Sequence, residues 1–255
     1  YRGMISLVLF GLTGLNTIDH AWVFLVAGLA VGVVFVLVER RAKEPVLRLS
    51  MFTKDRTFTL SNLAAFLNYG SIAAMMYLLS IYLQSVRGYS SMVAGLILLT
   101  SPVIQVVLSP VAGSLSDRFA PWKISTFGMS CSCIALLSFS FLGLETPIPL
   151  IFGILALAGV GFGTFASPNT NVIMGCVPKE EFGSANAIIG TMRTAGKATS
   201  MSVVTIVVGF MMNGMTFATA TTDQLVSTIA VCFGIFFVMS ALGILCSTAR
   251  KPKKE

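Results

Sequence analysis

Six long apolar runs constrain this chain more than any other feature. They lie at about residues 57–84, 92–114, 123–143, 149–177, 184–212 and 225–247, and each reaches the roughly 20 residues that a helix needs to cross the hydrocarbon core of a bilayer. Hydrocarbon offers backbone N–H and C=O groups no partner, so such segments fold as helices that satisfy their own backbones. Upstream, residues 3–15 are apolar but too short to cross and are expected to be the end of a cut helix. Asn16 to His20 form a polar turn, and Trp22 stands as an interfacial anchor before a further span running to about Val38. Composition agrees: 55% of residues are hydrophobic and 11% charged, with a mean hydropathy of +0.88, which leaves too little polar surface for a water-soluble globule. The expected fold class is an all-α polytopic membrane protein. The chain begins at Tyr1 without a signal-peptide pattern and is expected to be part of a longer one.

The basic residues are distributed as a membrane requires. Of the 17, six lie in the segment 39–56 (Arg40, Arg41, Lys43, Arg48, Lys54, Arg56), two between the second and third runs (Arg118, Lys123), one between the fourth and fifth (Lys179), four in the tail from Arg250, and one at Arg2. Only Arg87 falls on the opposite side, and Arg193 and Lys197 lie within a run. Lys and Arg collect in cytoplasmic loops, which places the protein in the cell membrane with its C-terminus in the cytoplasm. The net charge of +7 therefore needs no nucleic-acid partner, because the charges sit in short loops and the tail. Cys131, Cys133, Cys176, Cys232 and Cys246 fall within or at the ends of apolar runs, remote from the single histidine, His20. No metal-ligand spacing results, no cofactor is expected, and the thiols read as small packing residues. Without a Ser/His/Asp set, a His-rich cluster or paired carboxylates inside a run, no enzyme is expected either.

Turn and cap chemistry separates the runs. Gly88 to Ser91 is expected to turn and cap, Pro147 and Pro149 to open a helix, Pro178 to Gly183 to form a short charged loop, and Thr222 or Asp223 to cap the last span. The sharpest break is Ser109 to Lys123, SPVAGSLSDRFAPWK. There Gly113 allows close packing, Asp117 and Arg118 offer charge at helix ends and Pro121 turns the chain, so a tight charged hinge is expected.

Within that break, the stretch from Gly113 through Leu115, Asp117 and Arg118 to Lys123 resembles the signature loop of the major facilitator superfamily, Gly-x-Leu-x-Asp-Arg-x-Gly-Arg-Arg/Lys. Ala120 replaces the second glycine, and Pro121 and Trp122 displace the basic cluster, as befits the more degenerate second copy of the loop. Gly159 to Pro178 (GVGFGTFASPNTNVIMGCVP) and Gly183 to Ser200 (GSANAIIGTMRTAGKATS) resemble stretches of the fourteen-span drug:proton antiporters. The pair of spans ahead of the basic segment resembles that branch's two extra central helices. The resemblance implies three regions: the end of a truncated helix, one further span and a basic cytoplasmic linker (1–56), a C-terminal six-helix transmembrane domain (57–247) and a basic cytoplasmic tail (248–255). It further implies proton-coupled efflux of small, lipophilic or cationic compounds by alternating access, with substrate, protons, lipid and the N-terminal half of the same transporter as partners. A carrier dedicated to one solute and a non-transporting membrane scaffold or receptor are the alternatives.

Two faces carry candidates for a cavity. Asn62, Phe66, Tyr69, Ala73 and Tyr77 recur at helical spacing in the first of the six runs. Rings offer area and cation attraction while an amide fixes orientation, which suits amphipathic, often cationic molecules. Phe162, Phe165 and Asn169 recur in the glycine-rich fourth run, where Pro168 is expected to kink the helix near Thr164. Such stripes serve packing equally well, and the residues leave both readings open. In the superfamily the first and fourth helices of each half line the central cavity, which by resemblance makes these faces its walls. Gln105, between Pro102 and Pro110, is a further candidate. Arg193 and Lys197 lie one turn apart on one face. Charge inside a membrane is functional by default, although the length of the 184–212 run leaves room for Arg193 to snorkel to the cytoplasmic interface. Arg193 matches an arginine of the branch, whereas Lys197 stands where that pattern usually has glycine, so either close packing is relaxed there or a charge is added. Gly113, Asp117 and Arg118 are, with Arg193, the gating candidates. All ten acidic residues lie in loops, at span ends or in the tail. By resemblance, the carboxylates that a proton-driven antiporter titrates belong to the other half.

Overall fold

The structure is a computed structural model that describes residues 51–52, 55–212 and 221–250. The expected cut helix at 3–15, the span from Trp22 to Val38, the basic linker before Met51, His20 and the tail from Lys251 lie outside the described residues. Among the described residues six helices are long and apolar enough to cross a membrane, and no strand occurs. They are α1 (Arg56–Ile81), α2 (Ser91–Arg118), α3 (Pro121–Phe139), α4 (Ile148–Gly175), α5 (Phe182–Met211) and α6 (Thr222–Thr248).

Local chemistry sets the ends. Asp55 Oδ1 accepts the N–H groups of Thr57 (2.7 Å) and Phe58 (3.3 Å) and so satisfies donors that a first turn leaves open. α1 runs on into a π-helical turn, Tyr82–Val86, whose Tyr82 hydroxyl donates to the carbonyl oxygen of Gly143 (2.7 Å). Gly88 adopts φ +70°, a conformation costly for residues with a Cβ, and Ser90 caps α2 by accepting the Val93 N–H (3.4 Å). α2 is interrupted at Leu99, since Pro102 has no N–H to give to the Leu98 carbonyl. Pro147 immediately precedes α4 and Pro149 lies in its first turn.

Several expectations are corrected. The charged segment is no hinge: α2 stays helical through Arg118, and the turn consists of Phe119 and Ala120, because Pro121 opens α3 directly. α3 ends at Phe139, short of residue 143. Beyond it the Gly143 N–H donates to Thr146 Oγ1 (2.9 Å), which donates back to the Gly143 carbonyl (3.2 Å). The last span is capped by Thr221, one residue earlier than expected, in a reciprocal box with Gln224.

The helices pack in the order α2, α4, α3, α6, α1, α5, with α1 also touching α4. Small residues permit this. A Cβ on Gly128 of α3 would lie 2.7 Å from the Gly161 carbonyl oxygen of α4, and one on Gly70 of α1 would lie 2.9 Å from the Gly196 carbonyl oxygen of α5, so backbones meet at both crossings. The largest core cluster, with Leu78, Tyr82, Phe139, Phe162 and Phe233, fills the end near Arg87. A smaller one, with Phe58, Ile173 and Ile188, fills the opposite end. At that end Arg250 is 3% exposed, its Nη1 donating to Ser125 Oγ (3.3 Å). Burial pulls its pKa down to about 10. Within the apolar 18-residue stretch of each span, half of α1, α3 and α4 is buried, but only 17% of α2 and 22% of α5, so these two are the least covered.

Candidate functional site

α1 packs Ala64, Ala65, Met75 and Leu78 inward, which leaves Phe66, Tyr69 and Ala73 half-buried and Tyr77 exposed on its other side. Asn62 shares their arc but is fully buried, its Nδ2 donating to the Phe58 carbonyl of its own helix (3.0 Å). On α4, Phe162 lies in the large core cluster beside Phe139 and Phe233. Phe165, one turn on, meets Tyr69 edge-to-face at 6.4 Å between ring centroids. Asn169 is buried and its Nδ2 donates to the Ser61 carbonyl (3.2 Å), which joins α4 to α1. Gln105 is half-buried on α2, where its backbone lies against Gly163 of α4.

Arg193 is half-buried. From α5 its guanidinium lies 4.9 Å from the centroid of the Tyr69 ring, and Nη2 donates to Thr170 Oγ1 of α4 (3.3 Å). Its Nε is shielded from solvent and has no acceptor among the described residues. Lys197 is exposed, close to the middle of the 30-residue α5. Its neighbour Gly196 is the residue that meets α1, so the lysine adds charge without loosening the crossing. Tyr69, Phe165, Asn169 and Arg193 thus come together where α1, α4 and α5 meet, with Lys197 one turn from Arg193. Phe162, Tyr77 and Gln105 stand apart from them.

Asp117 and Arg118 are exposed at the end of α2, and neither side chain makes a hydrogen bond or ion pair among the described residues. The signature segment is instead tied to α4 by a residue that sequence reasoning missed. Asn171 Nδ2 donates to Ser116 Oγ (2.7 Å), which donates to the Gly113 carbonyl (2.7 Å), and Gly113 itself faces Ser167. The signal was there in three consecutive polar residues, Asn169, Thr170 and Asn171, inside a span. Successive helical side chains diverge by about 100°, so three in a row address three neighbours: here α1, α5 and α2. Among the described residues no group of His, Cys, Asp and Glu could hold a metal. The described acids, Asp55, Asp117, Glu145, Glu180, Glu181 and Asp223, all sit at helix ends or in turns. The site therefore offers ring surface, hydrogen-bond donors and positive charge.

Comparison with known proteins places these features in a family. The sequence pattern that defines the Major Facilitator Superfamily matches residues 3–201. The riboflavin transporter RibZ of Clostridioides difficile is 31% identical over 169 residues, 65% of this chain and 37% of that protein. The multidrug resistance protein Stp of Mycobacterium tuberculosis is 29% identical over 194 residues, 76% of this chain and 35% of Stp. The lincomycin resistance protein LmrB of Listeria monocytogenes is 26% identical over 238 residues, 90% of this chain and 50% of LmrB. The chain spans between a third and a half of the length of these curated relatives.

Proposed function

Because the chain belongs to the major facilitator superfamily, we propose that it forms the C-terminal part of a proton-coupled exporter of small, lipophilic compounds, of the fourteen-span drug:proton antiporter kind. The observation that carries this reading is the surface made by Tyr69, Arg193 and Lys197 within spanning helices, backed by the buried Phe165 and Asn169. Charge at that depth is retained where it lines a cavity or meets a partner. The drug-resistance names of two relatives support export, and the share of each relative that is covered leaves room for a second half to supply the opposite wall and the titrating carboxylates. Substrate binds between the halves, which rock to expose it alternately to each side. Asp117 and Arg118, exposed on α2, supply contacts to the other half that hold one state and break in the next. The riboflavin transporter among the relatives favours a second reading, a carrier dedicated to one solute.

The test is accumulation of neutral, acidic and cationic lipophilic dyes in efflux-deficient cells that carry the complete transporter, with and without a proton uncoupler. Lower accumulation of at least one dye, abolished by the uncoupler, is the expected result. Unchanged accumulation of every dye, with the protein verified in the membrane, would replace the exporter with the dedicated carrier.

A further inference from the structure

We propose that the cargo of this cavity carries an acidic group, a carboxylate or phosphate on a lipophilic body, and that Arg193 binds it. The inference rests on the efflux reading and names its substrate class. The Nε–H of Arg193 is shielded from solvent without an acceptor among the described residues, although the same guanidinium finds Thr170 with Nη2 at 3.3 Å. A charged donor left without an acceptor in a membrane interior is costly, so the loaded state is where one arrives. An acid accepts from two N–H groups of the guanidinium together, a fork that matches its planar geometry.

The surroundings favour the same sign of charge. Asn186, Gly190, Thr194 and Lys197 are exposed at helical spacing along α5. A polar stripe with an ammonium near the middle of a span borders water and not lipid. The described acids all lie at helix ends or in turns, so this wall holds two positive charges and no negative one. The Tyr69 ring, whose face was expected to attract a cation, is already held against Arg193 at 4.9 Å. A cationic cargo would meet like charge there, whereas an anion is drawn in by Lys197 and bound by Arg193 while Phe66 and Tyr69 adjoin its apolar part. The rival source of the same chemistry is a carboxylate elsewhere in the complete transporter.

The experiment compares two xanthene dyes of opposite charge, carboxyfluorescein and rhodamine 6G, in inverted membrane vesicles that hold the complete transporter and a proton gradient. Carboxyfluorescein is expected to be taken up with the lower KM. Arg193→Gln should raise that KM about tenfold or more and raise the rhodamine value less, as loss of a charged hydrogen bond predicts. Arg193→Lys, which keeps the charge and safeguards against a misfolded variant, should recover part of the loss, and Lys197→Gln should raise the KM by a smaller factor. Preferential uptake of rhodamine overturns the inference and leaves efflux standing. Equal falls in kcat for both dyes at unchanged KM also overturn it, by assigning Arg193 to a carboxylate of the protein. Movement of neither dye overturns the efflux reading together with this one.

Discussion

A guanidinium inside a membrane protein depends on its nearest groups. The Tyr69 ring under Arg193 is expected to contribute about 1–2 kcal/mol, because the pair is largely desolvated. Tyr69→Phe keeps the ring and should leave thermal unfolding in detergent nearly unchanged. Tyr69→Leu should lower stability by about that amount, and equal effects of the two changes would remove the ring–cation contact from the account. Arg250 behaves in the opposite sense. Its pKa lies at about 10 in the fold and higher when the chain is unfolded, so at neutral pH burial of the charge costs stability, and relief comes only as pH rises through about 10 towards the unfolded value. Neither Nε nor Nη2 has an acceptor among the described residues. Arg250→Met is therefore expected to raise stability by about 1 kcal/mol or more, read as a higher unfolding temperature.

Among elements, the crossing of α3 and α4 is the most sensitive. A Cβ on Gly128 reaches the Gly161 carbonyl, whereas Gly153, on the same α4, has nothing within 4 Å. Gly161→Ala should cost about 1–3 kcal/mol through overpacking, and Gly153→Ala should cost nothing or stabilise slightly. Similar losses for both would show that helix propensity, and not the crossing, governs α4. The six described spans were legible from apolar length alone, since a bilayer sets a minimum that few other structures need. Helix ends were less so. Arg118 stays helical because the next proline leaves no room for a loop, and Thr221 caps because Gln224 stands three residues on; both depend on which of several adequate residues the packed chain uses. The Arg193–Tyr69 contact could not be read, because it requires knowing that α5 lies beside α1. The face on α1 could be read, since periodicity places Phe66, Tyr69 and Ala73 together whatever their neighbours.

For the whole molecule, the ring of helices leaves α2 and α5 the least covered, and α2 shows Val103, Val106, Val107 and Val111 at more than half exposure. The proposed second half covers such surfaces. Orientation has its own test. In a background where the five cysteines are replaced, Arg87→Cys should react with an impermeant thiol reagent from outside intact cells, and Arg118→Cys only after the cells are opened. Reversed labelling would invert the proposed topology.

Gly196 and Lys197 are adjacent in sequence and point about 100° apart on the helix, one against α1 and one exposed. On α5, then, the residue that packs and the residue that adds charge are different ones. On the proposed export function, substitutions at Lys197 or Thr194 change what this surface recognises while the contact of Gly196 with Phe66 and Gly70 of α1 stays in place.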